Sequence, residues 1–188
     1  MHPVKEKILN QAVKSFTEKG FRKVTLDHIA YELGISKKTL YKFYRSKEEL
    51  IKAVINSIEQ RILQNDRAIM MDDNISWEDK IFRIVFAPQG IRRPGNIILE
   101  ELIHYYPEDF NRLSSVKKNI IYELLVREIQ HGAIRSDIDP QIVIMIFMNM
   151  LEHLVIEEEE YLYKNKLNLA DTLELVGDII LNGIKTKG

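Results

Sequence analysis

The sequence predicts an all-α protein with an N-terminal three-helix helix-turn-helix domain followed by a C-terminal helical bundle. Three observations predict this fold. Apolar residues recur at helical spacing along the chain, as in Leu50, Val54, Ile58 and Ile62. Two of the predicted helices are short and are joined by a turn centred on glycine. The 188 residues show no alternating pattern typical of strands.

The first helix is predicted over Val4–Lys19, with Ile8, Ala12 and Phe16 on one face. Gly20 is expected to end it, because glycine enters the left-handed conformation without a steric penalty. This helix is expected to pack across the back of the two short helices that follow.

The two short helices form the predicted helix-turn-helix. Thr25 is placed to cap the first helix, and Gly34 is expected to end it. Ser36 is placed to cap the second helix, Lys37–Phe43, with Leu40 facing inward. In such a motif the second helix enters the major groove of DNA.

The outward face of the second helix distinguishes this interpretation from a purely structural corner between two helices. Its residues are Lys37, Lys38, Thr39, Tyr41 and Lys42. These side chains can pair with phosphates and reach base edges, whereas a structural corner more often carries acids on such a face. The pattern therefore favours DNA binding.

A capping box at Ser46–Glu49 opens the next helix, which is expected to run from Lys47 to about Met70. Its N-terminus can hold a phosphate on free backbone amides beside Lys47. The alternative is a plain connecting helix, and both roles are compatible.

Residues Val4 to Val54 resemble the DNA-binding domain of the tetracycline-repressor (TetR/AcrR) family. The resemblance rests on three motifs: Thr25-Leu26-x-x-Ile29-Ala30, Gly34-Ile35-Ser36-Lys37-x-Thr39-Leu40-Tyr41 and Tyr44-x-Ser46-Lys47-Glu48-Glu49-Leu50. It implies a homodimer that binds DNA. The resemblance also implies phosphate or base contacts from Thr25, Lys37, Thr39, Tyr41, Lys42 and Lys47. With the cap Ser36 and the outward-facing Lys38 added, the predicted DNA-binding residues are Thr25, Ser36, Lys37, Lys38, Thr39, Tyr41, Lys42 and Lys47.

Two positions depart from the family pattern. Phe43 stands where the family often has a histidine or tyrosine that contacts phosphate, and phenylalanine cannot donate a hydrogen bond. Lys38 stands where the family often has glycine, and its ammonium is expected to replace part of that contact.

The charge distribution agrees with a DNA-facing N-terminal region. The chain carries 27 Lys+Arg and 28 Asp+Glu, of which residues 1–60 hold 12 and 7, leaving 15 and 21 for the remainder. The net charge is therefore +5 in the first part and −6 in the second, which directs the first part toward phosphate.

Composition restricts the setting. Without cysteine, the chain has neither disulfides nor thiolate metal sites, so a cytoplasmic location is expected. Neither a signal peptide nor a membrane span is expected, since the longest apolar run, Ile142–Met148, is far shorter than a span.

The predicted domains are residues 1–55 for DNA binding and 56–188 for ligand binding and dimerisation. Further helices are expected near 76–86, Ile97–Tyr106, Pro107–His131, from Pro140 onward and Leu169–Ile184, with a loop at Pro88–Asn96. Asp139 is placed to cap the helix that begins at Pro140. The last two helices have wide apolar faces, which suggests that they meet a second copy as a four-helix bundle across a two-fold axis.

Aromatic and thioether side chains in the second domain are of the kind that line apolar pockets, and the family resemblance implies that such a pocket binds a small-molecule effector. The tentative set is Trp77, Phe82, Phe86, His104, Tyr105, Tyr122, Met145 and Met148. Taken singly, each of these side chains is more typical of plain core.

The competing hypothesis is a helical-bundle metal enzyme. Glu101-x-x-His104 and Glu128-x-x-His131 have the spacing of carboxylate di-metal bundles, to which Glu152 and Glu157 could contribute. His131 next to Gly132 equally suits a helix C-terminus, and glutamate is frequent in the chain. We therefore expect no catalytic site, metal or cofactor, and favour a ligand-responsive repressor that binds a pseudo-palindromic DNA operator as a homodimer. A dimer regulated by a protein partner instead of a small molecule is a further alternative.

Overall fold

The computed structural model describes residues 2–86, 97–153 and 164–186, and these residues are predominantly helical. The helices are α1 (Pro3–Lys23), α2 (Leu26–Glu32), α3 (Lys37–Phe43), α4 (Lys47–Met71), α5 (Trp77–Phe86), α6 (Ile97–Tyr105), α7 (Pro107–Gln130), α8 (Pro140–Glu152) and α9 (Leu169–Ile184). The predicted all-α class is confirmed. The predicted loop at Pro88–Asn96 lies outside the described residues.

The chain divides into two compact units that differ from the predicted domains. The first unit combines Met1–Arg61 with Gly95–Arg112, and the second combines Ile62–Pro94 with Leu113–Gly188. The first compact unit thus extends past residue 55, the end of the predicted DNA-binding domain, and includes α6 with the start of α7. The physical reason is that α6 packs against α1 within the first unit.

Gly20 interrupts α1, with φ 80° and ψ 165°. The helix does not end there as predicted, because it continues after the break to Lys23. Phe21, directly after the break, is buried and packs edge-on against Phe16 with ring centroids 5.2 Å apart. The break therefore turns an aromatic side chain into the core of the first unit.

A polar cluster joins α1 to α2. The Glu32 carboxylate accepts hydrogen bonds from Gln11 Nε2 at 2.6 Å and from the buried Ser15 hydroxyl at 2.9 Å. These bonds, the Ser15 bond foremost, hold the pKa of Glu32 below its ordinary value, together with the charges of His28 and Lys19. The apolar pattern of α1 gave no indication of this cluster.

The turn between α2 and α3 has the predicted form. Gly34 adopts φ 63°, its amide donates to the Tyr31 carbonyl at 3.0 Å, and the Ile35 amide donates to the Ala30 carbonyl at 3.0 Å. Ala30 and Leu40 are buried at 2% and 0% exposure, so a small residue and one leucine lie where the two helices pack together.

The second unit has its own apolar core. It is built from α5, α7, α8 and α9 with the end of α4, and its fully buried members include Ile81, Ile84, Ile121, Leu124, Leu125 and Phe147. Helix α9 packs against α5. Asp139 caps α8 as predicted, accepting from the Gln141 amide at 2.8 Å.

One charged pair is buried in the second unit. Lys117 Nζ lies 3.3 Å from Asp66 Oδ2, with only 13% and 10% of the two side chains exposed, and also donates to the Ile84 carbonyl. Burial lowers the pKa of Lys117 and raises that of Asp66, each opposed by the partner's charge.

No helix in the described part of the chain is both long and apolar enough to cross a membrane.

Gly34→Ala should destabilise the protein through its backbone alone. A Cβ at this position would meet nothing within 4 Å, but φ 63° is strained for alanine, so we expect a loss of roughly 1 to 2 kcal/mol in the free energy of unfolding measured with urea. Gly183→Ala is the matched control. Gly183 also has open space around it but lies within α9, so alanine there should raise stability by roughly 0.5 to 1 kcal/mol. Equal effects of the two substitutions would contradict the strain argument.

Candidate nucleic-acid interface

Both short helices begin at capped N-termini, as predicted. Thr25 Oγ1 accepts from the His28 amide at 3.1 Å, and Ser36 Oγ accepts from the Thr39 amide at 3.1 Å. The hydroxyls of Ser36 and Thr39 are also hydrogen-bonded to each other at 2.9 Å. The caps fix where α2 and α3 begin, and the second cap ties Thr39 to the start of α3.

The outward face of α3 is exposed as expected. Lys37, Lys38, Tyr41 and Lys42 are exposed, Thr39 is half-buried, and Leu40 is the buried residue of the helix. One apolar side chain thus anchors α3 and leaves its cationic and hydroxyl groups accessible. The surface formed by Lys37, Lys38, Thr39, Tyr41 and Lys42 is called the α3 face below.

Lys37 is not a free cation in this structure. Its Nζ lies 2.5 Å from Asp27 Oδ2, in the first turn of α2. The hydrogen bond and the charge of Asp27 raise the pKa of Lys37 above its ordinary value. No periodic signal in the sequence indicates this pair, because its members lie ten residues apart across a turn.

A concave surface of about 360 Å³ lies where the ends of α2, α3 and α4 meet. Its lining residues are Thr25, Leu26, Asp27, Tyr41, Arg45, Ser46 and Lys47. Hydroxyl and cationic groups predicted to contact DNA therefore converge here with Arg45, which the prediction omitted. We call this surface the α2–α4 cleft.

The start of α4 is a modified capping box. Ser46 Oγ accepts from the Glu49 amide at 3.1 Å, while Glu49 Oε2 accepts from the Arg45 amide at 2.7 Å rather than from that of Ser46. Lys47 Nζ donates to the Arg22 carbonyl at 3.2 Å. Burial lowers the pKa of Lys47, and the charge of Glu101 opposes the shift.

Phe43, at the end of α3, packs against His2, the residue that caps α1. The rings of Phe43 and His2 have centroids 4.9 Å apart and are tilted by 46°. His2 Nδ1 accepts from the Val4 amide at 3.2 Å and so caps α1. Phe43 thus contributes an apolar contact at the position where the family often has a polar group.

The predicted effector-pocket residues fall in separate places. In the first unit, His104 and Tyr105 are exposed, and Tyr105 Oη accepts from Arg22 Nη1 at 2.9 Å. Tyr105 also lines a cleft of about 890 Å³ that includes Phe21, Arg22, Lys47, Glu48, Tyr106 and Glu108.

The remaining members of the pocket set belong to the second unit. Trp77, Phe82 and Met148 pack in or against its core, whereas Tyr122 and Met145 are 40% and 54% exposed. The Phe86 side chain lies outside the described residues. The members of the set differ in exposure and belong to two units, so a pocket formed by the whole set stays a prediction.

The metal-enzyme hypothesis gains no support from the described residues. Glu101 accepts hydrogen bonds from the Phe21 and Arg22 amides, and Glu128 Oε1 accepts from Arg127 Nε at 3.1 Å. Among the residues that the structure describes, no group of three or more His, Asp or Glu side chains could hold a metal ion. Glu157 and the Glu152 side chain lie outside these residues.

Two capped short helices joined at a left-handed glycine, with a lysine-rich outer face on the second, define a helix-turn-helix domain of the DNA-binding class. Residues 8–54 match the family model described as bacterial regulatory proteins, tetR family. The match covers the DNA-binding domain and confirms the predicted resemblance, and the chain is a DNA-binding transcriptional regulator.

Relatives match beyond this domain. The uncharacterized HTH-type transcriptional regulator YvaF of Bacillus subtilis is 27% identical over 183 residues, which cover 95% of this chain and 94% of that protein. IcaR of Staphylococcus epidermidis, a negative transcriptional regulator of a biofilm operon, is 33% identical over 87 residues, 44% of each chain. The structure of FadR from Bacillus subtilis in complex with stearoyl-CoA aligns with a TM-score of 0.68 at 16% identity, covering 95% of this chain and 98% of that one.

Ser36→Ala should weaken the start of α3. Loss of the cap leaves the Thr39 amide without its acceptor, so we expect the free energy of unfolding to fall by about 1 kcal/mol. Ser36→Asn is the control, since its side-chain oxygen can cap equally well and should retain most of the stability. Urea unfolding followed by circular dichroism measures both, and equal losses would show that the cap is not what stabilises α3.

Proposed function

We propose that the chain is a homodimeric, ligand-responsive repressor that binds a pseudo-palindromic operator. The observation that carries the proposal is the α3 face, where lysine, threonine and tyrosine side chains surround one buried leucine. The negative regulator IcaR supports the direction of control, because part of this chain is similar to it.

On DNA, each subunit places Lys37–Phe43 in a major groove, and the two half-sites lie about 34 Å apart. Lys38 and Lys42 reach toward base edges, since both are exposed on α3. The α2–α4 cleft receives a phosphate, because Thr25, Tyr41, Arg45 and Lys47 converge there. Ser36 and Thr39 position the start of α3 in the groove.

The dimer forms through α8 and α9. Ile142, Met145 and Ile146 are exposed on α8 at helical spacing, and Leu175 and Ile179 are exposed on α9 four residues apart. Each of these side chains is 45% to 61% exposed. So much exposed apolar surface on two helices of one unit is unusual. A second copy would bury both faces in a four-helix interface, which fits a family that binds two half-sites.

The effector is a small molecule with an apolar body, bound in the second unit. Trp77, Phe82 and Met148 support this assignment, since they place aromatic and thioether groups in and against its core. The similarity in fold to FadR, whose structure contains stearoyl-CoA, agrees with an apolar ligand. Binding would change the spacing between the two α3 helices, so that they no longer fit successive grooves. The protein would act in the cytoplasm, where its DNA lies.

Replacement of single lysines should separate base reading from phosphate contact. With a duplex selected from a random pool by the wild-type chain, Lys42→Ala should change the preferred sequence. Lys47→Ala should weaken selected and random duplexes alike and reduce the slope of log K against log[salt] by about 0.9. Fluorescence anisotropy over a salt series measures both effects.

The matched control is Lys118→Ala, which removes an exposed lysine of α7 in the second unit and should leave both duplexes unaffected. Equal losses with all three variants would contradict the assigned roles.

Leu175→Glu should break the dimer, because it places a charge in the proposed interface on α9. Sedimentation velocity should then show a monomer, and affinity for a two-half-site operator should fall by more than tenfold. Leu167→Glu is the control, since Leu167 is 48% exposed but lies before α9. A Leu175→Glu protein that remains dimeric would show that another surface joins the subunits.

A further inference from the structure

The ion pair between Asp27 and Lys37 is difficult to explain as a stabilising device. Lys37 Nζ and Asp27 Oδ2 are 2.5 Å apart, but the two side chains are 66% and 50% exposed. Exposed pairs of this kind contribute little to folding, because water screens the charges and two mobile side chains must be ordered. Folding stability therefore does not account for the pair, and its effect on the surrounding surface does.

That surface is the proposed DNA interface. Lys37 is the first residue of α3, and the N-terminal residues of a recognition helix are the ones that contact base edges. Asp27 lines the α2–α4 cleft beside Thr25, Tyr41 and Arg45. A carboxylate in a cleft suited to phosphate opposes DNA binding, so its presence there weakens any contact that does not compensate for it.

We propose that Asp27 is a specificity-determining residue. Asp27 holds the Lys37 ammonium in an ion pair until α3 is fully inserted in the major groove of a matching site, where Lys37 leaves Asp27 and contacts a base edge. This inference rests on the proposed DNA contacts of α3. On non-target DNA, Lys37 would only exchange one anionic oxygen, that of Asp27, for another on a phosphate. It therefore gains little affinity there, and random sequence is bound less tightly than the number of lysines suggests.

At a matching site, α3 lies deep enough in the groove for Lys37 to reach guanine O6 or N7, where a lysine donor contributes to discrimination. A correctly positioned α3 makes further contacts with bases and phosphates at the same time. Together these contacts compensate for the loss of the bond between Lys37 and Asp27. Asp27 thus lowers affinity for random sequence more than affinity for the operator.

Asp27→Asn tests the proposal, since asparagine keeps the size of the side chain and removes its charge. The full-length chain is titrated with a duplex selected by the wild-type protein and with a random duplex, over a range of KCl concentrations. We expect affinity for the random duplex to rise roughly two- to fivefold. The slope of log K against log[salt] on that duplex should become steeper by about 0.9, because Lys37 now displaces one more counterion. Affinity for the selected duplex should change less, so the ratio of the two affinities falls.

Two controls separate this effect from a general change in charge. Asp137→Asn removes the same charge from another exposed pair, in which Asp137 Oδ2 lies 2.6 Å from Arg135 Nη2 in the second unit, and it should leave both affinities unchanged. In a Lys37→Gln background, Asp27→Asn should change the affinity for both duplexes by the same factor, because only the removal of a carboxylate from the cleft remains and the discrimination that acts through Lys37 is gone. Urea unfolding of each variant checks that the fold is retained.

Several outcomes would overturn the inference. An equal gain on both duplexes in the wild-type background would mean that Asp27 merely repels DNA, and a fall in the affinity ratio that persists without Lys37 would mean that Asp27 does not act through Lys37. A loss confined to the selected duplex would mean that Asp27 itself accepts a hydrogen bond from a base. If the wild-type chain selects no duplex at all, the proposed function fails together with this inference, whereas normal selection with an inert Asp27→Asn change refutes the inference alone.

Discussion

The orientation of α3 against α2 is the constraint on which the DNA-facing surface depends. A seven-residue helix has room for one buried contact, and Leu40 makes it. Gly34 permits the turn because its φ of 63° is costly for other residues, and Ala30 lets the helices approach closely. With these three positions fixed, the three lysines of α3 lie on its exposed side. The lysines are thus accessible because the helix is too short to bury them.

A second set of contacts holds the last residues of α1 within the first unit. Gly20 interrupts α1, so the amides that follow it need acceptors outside the usual helical pattern. Glu101 of α6 accepts from the amides of Phe21 and Arg22, and the Arg22 carbonyl in turn accepts from Lys47 at the start of α4. The same carboxylate that fitted a metal-site pattern in the sequence is therefore occupied in satisfying a broken helix.

The contrast between local and distant contacts explains how much could be predicted. Thr25, Ser36 and Asp139 were predicted as caps because a cap is decided by residues two or three positions away. The contact of Glu101 with Phe21 spans 80 residues, so no periodicity in the chain indicates that α6 belongs to the first compact unit. The aromatic set stays a prediction, because side-chain type alone does not distinguish core Trp77 from exposed Tyr122.

The same contacts show why a count of lysines overstates the charge offered to DNA. Lys37 is paired with the carboxylate of Asp27, whereas Lys47 donates to a neutral carbonyl. A phosphate that approaches Lys47 meets an ammonium whose hydrogen-bond partner is neutral, but one that approaches Lys37 meets an ion pair with no net charge. A free ammonium displaces a counterion condensed on the DNA more effectively than a paired one, so the number of ions released on binding follows the unpaired cations rather than the sequence composition. Lys38 and Lys42, both exposed on α3, should therefore contribute more to the salt dependence of binding than Lys37, although the three differ little in sequence position.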